Sequence, residues 1–526
     1  MYIKILSSLE KVFKDVEPQA FEISKLSMLK NERTSFQVAF KSDVDKNVKL
    51  DIKGIEKEFY SVYSVGDVPV ELPCFDHADD FYIRKDKGMY PDILFPSDEI
   101  EADRDKWYSF WIEINPDSSL SGQFDLILTI DGIEKNIGID IKDALLPEQK
   151  LIYTNWFHSD CICDYYGIEP FSDMFWDYFR NFAFAAHKHG LTCILTPLFT
   201  PALDTAVGHE RTTVQLVKVK KSGGKYFFDF RNLKKWIEIC HEIGIKYFEM
   251  SHFFTQWGAE HAPKVVARDS KGRKKKIFGW STRTSSKEYD KFLTQFSYAL
   301  KKFIFANGIE NNVFFHISDE PGVQHIKVYR KRAALIKSIF AGFPIMDALS
   351  DYDFYRKGYV DIPVPEENSI DKFYGNVEHF WTYYCCGQGS HNEPNRFIAM
   401  PSVRNRALGV LLYKYNVEGF LQWGFNFYNS QYSLSHIDPY KVSDAGGRFP
   451  AGDSFMVYPG KDGNVICSLR LKVFYDAIQD IRVLNLLENK IGRERVLELL
   501  GDINFNDYPH NPEWIIELRN KVNSLI

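Results

Sequence analysis

The sequence predicts a β-sandwich followed by a (β/α)₈ barrel, and three observations predict it. Short alternating strand-like runs fill residues 1 to about 146. From about residue 150, eight apolar strand-like runs alternate with segments of helical spacing, the count of a (β/α)₈ barrel. The adjacent carboxylates Asp319 and Glu320 stand where the fourth of those runs gives way to a loop. In a β/α barrel the loops after the strands line the open face, where chemistry is placed.

At 526 residues the chain exceeds what one hydrophobic core holds, so it divides into domains. The expected division is a sandwich over 1–146 and a barrel with closing C-terminal helices over 147–526, joined by the linker Ala144-Leu145-Leu146-Pro147-Glu148.

The sandwich rests on runs such as Ser35–Phe40, Val48–Ile52, Tyr108–Ile112 and Phe124–Leu128, separated by turn residues such as Ser121-Gly122 and Asp131-Gly132. The barrel strands are expected at Leu151–Phe157, Leu191–Leu195, Tyr247–Met250, Val313–Ser318, Pro344–Ala348, Val360–Val364, His379–Tyr384 and Gly419–Trp423. Helical spacing marks Phe171–His189, Lys234–Ile243, Ser286–Phe305 and Pro401–Tyr415. A further helix is expected from about Gly322 to Phe340. Residues 470–489 and 511–525 read as closing helices, with Leu471, Phe474, Ile478, Ile481 and Leu484 on one face of the first.

Composition narrows the function. Hydrophobic residues are 45% and charged residues 26%, an ordinary globular balance. No run of about 18 apolar residues is present, so no membrane insertion is expected. Met1–Leu6 has no signal-peptide apolar region and runs into strand-like sequence, which points to the cytoplasm. The eight Cys are scattered, without zinc spacing, and read as free thiols. A net charge of −6 gives no sign of nucleic-acid binding, and the basic run Lys271–Lys276 reads as a solvated loop. Aromatics reach 16%. They suit either a large aromatic core or a cleft for sugar rings, whose apolar C–H faces stack on indole and phenol.

The expected strand ends carry the chemistry. Trp156, His158 and Asp160 follow the first strand; His252, Gln256 and Trp257 follow the third. His316, Asp319 and Glu320 end the fourth; Trp381, Tyr383 and Tyr384 end the seventh. Trp423 and Asn426 end the eighth, followed by His436 and Asp438. Any one of these is more often packed or capped than bound to a ligand. Asp before a helix with Pro at its start is also a common cap. Together on one face, aromatics with Asn, Asp and His are what a polyhydroxylated ring requires. No phosphate loop is present, and no metal-ligand spacing recurs, so neither metal nor cofactor is expected.

Two adjacent acids suit divided roles, one ionised and one held protonated. A retaining glycosidase with its own nucleophile needs a second carboxylate about 5–5.5 Å from the acid. Here the seventh strand ends in aromatics, and Glu378 lies at its start, on the wrong side. A substrate with a 2-acetamido group could supply the attacking oxygen itself. One acid would then protonate the leaving oxygen and one carboxylate would hold the acetamido N–H. On an ideal strand neighbouring residues point to opposite faces, so the pair must lie on a bent strand end.

Several longer motifs stand beside the pair. They are Asn31–Gln37, Gly88–Asp92, Ser251–Gly258, Ile277-Phe278-Gly279-Trp280, His316–Pro321, Trp381–Cys385, Glu418–Gly424 and the helix from Leu469-Arg470 to Asp480. On these motifs the chain resembles glycoside hydrolase family 123, whose characterised members are β-N-acetylgalactosaminidases. The resemblance spans nearly the whole chain. It departs at Cys386–Ser390, where many relatives have a more Pro-rich loop. It implies a β-sandwich, a barrel and a substrate-assisted retaining mechanism similar to that of the family 20 hexosaminidases. Asp319 would then stabilise the acetamido group and Glu320 would be the general acid/base. Trp156, His158, His252, Gln256, Trp257, Trp280, His316, Trp381, Tyr383, Trp423, Asn426 and Asp438 are the expected substrate contacts, and the substrate an oligosaccharide or glycoconjugate. Two alternatives stay open: a retaining glycosidase with an enzymic nucleophile acting on plain hexosides, and a carbohydrate-binding barrel without activity.

Overall fold

The computed structural model describes residues 1–526. Its N-terminal region is built from two sheets. One runs in the order Tyr2–Ser7, Thr34–Lys41, Trp107–Ile114, Tyr60–Val70, Gly88–Pro96, Val465–Ser468, Val457–Pro459. The other runs Lys25–Lys30, Ile133–Leu145, Gly122–Ile130, Lys46–Lys53, Glu99–Ala102. Alternation explains their packing. Val48, Leu50 and Ile52 point inward while Lys49 and Asp51 face water. They join Phe36, Val38, Phe110, Ile112, Leu126, Leu128, Ile137 and Ile139 in one apolar cluster drawn from both sheets.

The seven-stranded sheet is buried on its other face too. Thr34–Lys41 is therefore buried at almost every position, polar Ser35 and Gln37 included, and Trp111, Tyr90 and Leu94 join the main core of the second region. Two of its strands come from far along the chain: Val465–Ser468 pairs with Gly88–Pro96, and Val457–Pro459 pairs with Val465–Ser468 at the sheet edge.

The second region combines helices with curled parallel sheets. All eight expected strands form, at Ile152–Asn155, Cys193–Thr196, Tyr247–Met250, Val313–Phe315, Met346–Ala348, Ile362–Val364, Trp381–Tyr383 and Gly419–Gln422. Six make one parallel sheet in the order fourth, third, second, first, eighth, seventh. The fifth and sixth pair with each other, and single parallel bridges, Phe315–Ile345 and Glu366–Tyr383, link them to the fourth and seventh.

Helices Asp173–Lys188, Arg231–Ile243, Lys287–Ala306, Ile326–Ile339 and Ser402–Lys414 connect the strands, and Leu469–Ile491 and Pro512–Leu525 close the region. After the sixth strand only the short 3₁₀ segment Glu367–Lys372 intervenes. No helix is long and apolar enough to cross a membrane.

One further sheet was not expected. Lys218–Ser222, Lys225–Asp229, Val265–Arg268 and Lys274–Phe278 form four strands inserted after the second and third parallel strands. Half of the basic run Lys271–Lys276 therefore lies in a strand, with its Lys side chains exposed; only the turn at Asp269–Arg273 is loop. Gly223 and Gly224, with φ of +55° and +74°, make the two-residue hairpin that starts this sheet.

The two regions are bolted by buried polar contacts. Arg470 makes two hydrogen bonds to Asp92 at 2.8 and 2.9 Å, Lys472 meets Glu113 at 2.8 Å, and Arg519 meets Glu32 at 2.7 Å. Lys11 donates to the carbonyls of Ile398 and Met400 at 2.6 and 2.7 Å.

Candidate active site

The carboxylate pair sits on a bent strand end. The fourth strand stops at Phe315, and residues 316–320 are irregular. Glu320 has a φ of +43°, a conformation that costs a non-glycine residue on the order of 1 kcal/mol. Its amide donates to Ala348 O at 3.1 Å, which pins it to the fifth strand. That turn puts both carboxyls on one cavity of about 230 Å³.

Burial raises the pKa of Glu320; the hydrogen bond from Tyr383 Oη, 2.6 Å from Oε1, pulls it back down. Glu366 lifts it again, and the Trp257 side chain lowers it a little. Asp319 is pushed well up, first by burial and then by Glu320, with His316 opposing. Asp319 is only 9% exposed, yet no hydrogen bond from the protein helps to hold its carboxylate ionised.

Below the pair lies a fully buried ion cluster. His316 places Nε2 2.7 Å from Glu249 Oε1 and Nδ1 3.0 Å from Asp347 Oδ1. Burial alone would strip its proton, but these two carboxylates carry its pKa up to about 9. Asp347 also accepts from the amides of Ile317 and Ser318 and from Tyr329 Oη, so it orients the segment that leads to the pair. Trp156 Nε1 donates to Glu249 at 2.6 Å. His252 stacks on His316 at 4.2 Å with both ring nitrogens unpartnered, and burial keeps it neutral. His252, His316 and Asp347 stand close enough to share a cation, but both His316 nitrogens are already engaged.

The cavity walls include Trp156, His158, Gln256, Trp257, Tyr383 and Trp423, all expected from the sequence. Arg211 Nη2 donates to His158 Nδ1 at 2.9 Å, so Nε2 carries the hydrogen and donates to Trp423 O at 2.8 Å. Burial and Arg211 hold His158 neutral, its pKa down to about 3. Gln256 accepts from the Asp204 amide, and its buried Nε2 has no partner, a donor left for a ligand. Trp257, 44% exposed, stands at the rim.

Six expected residues do not line this cavity. Trp381 is 1% exposed and packs edge-on against Phe314 at 5.5 Å. It points inward like Tyr383 but two residues earlier, hence one layer deeper in the sheet. His252 and His316 form the floor beneath. Asn426 braces His158 through its backbone N and O, at 2.8 and 3.1 Å. Asp438 caps the Tyr440 amide and pairs with Lys441 on the surface. Trp280 lines the neighbouring cavity, where Nε1 donates to His209 O at 3.0 Å.

Residues that the sequence did not single out include Asp204, Cys385, Cys386, Gln431 and Phe449 in the walls. Burial lifts Asp204 to about 6. Asp453 anchors Trp423 Nε1 at 3.0 Å and is itself raised to about 7 by burial. Glu366 follows the sixth strand with its carboxylate within 4.8 Å of that of Glu320, outside the cavity lining. Its only sequence signal is its place after a strand, which it shares with many loop residues.

Comparison with known proteins agrees with this architecture. No curated protein matches the sequence. Among solved structures, a family 123 glycoside hydrolase from Clostridium perfringens, described in terms of glycolipid glycan hydrolysis, superposes with a TM-score of 0.75 at 16% identity, covering 99% of this chain and 97% of that one. An FMN-binding β-glucuronidase from Facaelibacterium prausnitzii L2-6 (TM-score 0.31, 10% identity, 82% and 58% covered) is too distant to carry an argument. A family 5 mannosidase from Rhizomucor miehei (TM-score 0.32, 8% identity, 70% and 97% covered) is equally distant. The family model described as glycoside hydrolase 123, catalytic domain, matches residues 156–487, which take in the carboxylate pair and every expected site residue. The chain belongs to glycoside hydrolase family 123.

Proposed function

We propose that the protein removes terminal β-linked N-acetylgalactosamine, or a related N-acetylhexosamine, from an oligosaccharide or glycoconjugate by substrate-assisted retention. The observation that carries this reading is the division of labour in the carboxylate pair. Burial raises the pKa of both carboxyls, so their contacts divide the roles: Glu320 is held in place by Tyr383 Oη, as a positioned general acid requires. Asp319 faces the cavity with no hydrogen bond from the protein helping to hold its carboxylate ionised, as a partner for an acetamido N–H requires. The acetamido oxygen attacks the anomeric carbon, the glycosidic C–O bond breaks, and Glu320 gives its proton to the leaving oxygen. Asp319 accepts from the N–H of the resulting oxazolinium ion. Water then attacks the anomeric carbon, Glu320 takes its proton, and the ring reopens to the acetamide with net retention.

The proposed frame is a β-sandwich over 1–146 and a (β/α)₈ barrel over 147–526. The two single bridges that link the paired fifth and sixth strands to the six-stranded sheet support closure. Trp423 and Trp257 serve as stacking surfaces, Gln256 as a hydrogen-bond donor and His158 as part of the wall.

A second reading has one observation in its favour. Asp204 also reaches the cavity and could act as an enzymic nucleophile on a plain hexoside. One comparison separates the two. An aryl 2-acetamido-2-deoxy-β-galactoside is cleaved with retention, and the matching β-galactoside is nearly inert. Asp319→Ala loses on the order of 10²–10⁴ in kcat on the acetamido substrate. Comparable turnover of the plain galactoside, or a sugar trapped covalently on a protein carboxylate, refutes substrate assistance.

A further inference from the structure

Three cavities form one chain away from the carboxylate pair. The first, holding Asp319 and Glu320, shares Gln256 and Trp257 with a second of about 360 Å³. The second is walled by the aromatic rings of Trp257, Trp280 and Tyr432 and shares Glu260 and His261 with a third of about 370 Å³. The third is different in kind. Its lining includes Arg283, Lys327, Lys331 and Arg332, and Glu260 is its one acidic side chain.

Most of the cations there are exposed and lack a counter-charge. Arg332 is neutralised by Asp290 at 2.8 Å. Arg283, Lys327 and Lys331 have no ion-pair partner. In the cavity on the other side of Trp280, by contrast, Lys264 and Lys276 both reach Glu210, and Arg211 is paired with Asp160. Unpaired cations therefore collect at one end of the cleft, in a chain whose net charge is −6.

The walls are also held in place. Thr284 N donates to Glu260 O and Ala262 N to Thr282 O, each at 3.0 Å, and Arg332 Nη1 donates to Thr284 O. Lys327 and Lys331 lie one turn apart on the helix Ile326–Ile339, the first α-helix after the carboxylate pair.

We propose that this third cavity is a distal subsite for an anionic group, a sugar carboxylate or a sulfate ester, on the part of the glycan that leaves. The inference rests on the reading of the first cavity as the site of the sugar that is cleaved. On that reading, the sugar next to the scissile bond stacks on the aromatic walls of the second cavity. A charged substituent further along then meets Arg283, Lys327 and Lys331. Such a subsite selects among glycans that end in the same sugar, which the first cavity alone cannot do.

The test uses the full chain and three oligosaccharides with the same terminal β-N-acetylgalactosamine and the same backbone length. One is neutral, one carries a uronic acid and one a sulfate ester beyond the leaving sugar. The readout is the ratio of kcat/KM, anionic over neutral, so a general loss of folding or chemistry cancels. The wild-type ratio for at least one anion should exceed one, and the combined Arg283→Ala, Lys327→Ala, Lys331→Ala change should lower it about tenfold, the sum of three exposed charge contacts. Raising ionic strength should erase the preference, because exposed charges are screened beyond about 8–10 Å near physiological salt. The two anionic arms tell carboxylate from sulfate. A wild-type ratio at or below one for both, or a ratio that survives the triple change, overturns the subsite. If the neutral oligosaccharide and the aryl acetamido-sugar are both left uncut, the reading of the first cavity fails instead.

Discussion

At the scale of single residues, Tyr383 tunes the acid. Its hydroxyl donates to the Glu320 carboxylate and so favours the ionised form, against a burial that favours the neutral one. Tyr383→Phe removes that donor and raises the Glu320 pKa further. The acid stays protonated to higher pH, so the alkaline limb of the kcat/KM profile moves up. A limb that moves down, or stays still, would show that Glu320 does not limit the rate there. Much of this site was legible in the sequence because strand ends concentrate chemistry: Asp319, Glu320, Trp156, His158, Gln256, Trp257, Tyr383 and Trp423 all reach the cavity. Trp381 was misplaced because a strand position sets the face a side chain points to but not the layer it fills. Asp204, Asp453 and Glu366 were invisible because each depends on loop conformation, and a lone acid in a loop carries no periodic signal.

At the scale of elements, close helix packing around the parallel strands governs the frame. Helix Ser402–Lys414 is buried on nearly every side, which only a helix covered by a second layer can be. It crosses Leu469–Ile491 at Gly409, where an added methyl would meet Ala477 O at 2.1 Å. Gly409→Ala must part the two backbones, and a cost of about 1–3 kcal/mol is expected, read as a lower Tm with kcat of the folded protein preserved. An unchanged Tm would mean that the contact relaxes without strain. The eight parallel strands and most connecting helices were visible from apolar runs and helical spacing. The inserted four-stranded sheet was not, because Lys218–Ser222 and Lys274–Phe278 are mostly Lys and present little apolar alternation. Gly223-Gly224, a two-residue hairpin turn, was the one local cue.

At the scale of the whole molecule, buried charges join the two regions. Lys11 is buried against the carbonyls of Ile398 and Met400, and desolvation pushes its pKa down to about 7. The unfolded chain keeps the ordinary value of 10.5. Between those two values the unfolded state binds a proton that the native state lacks, so this residue makes stability rise with pH across that window. Lys11→Met abolishes its share of the rise, while leaving two carbonyls unpaired lowers stability by about 1–3 kcal/mol at neutral pH. Denaturant midpoints at pH 7 and pH 9 check both; a slope equal to that of wild type would mean that Lys11 stays charged inside the protein.

The hairpin at residues 457–468 has a consequence for synthesis. Strand Gly88–Pro96 leaves the ribosome about 370 residues before its partner Val465–Ser468. At 5–20 residues per second, the nascent chain carries that unpaired edge for roughly 20–75 s. An open edge is a template for pairing with another chain. The N-terminal region thus waits, partly unfinished, for the last fifth of the polypeptide, and crowding on polysomes exposes that open edge to other nascent chains.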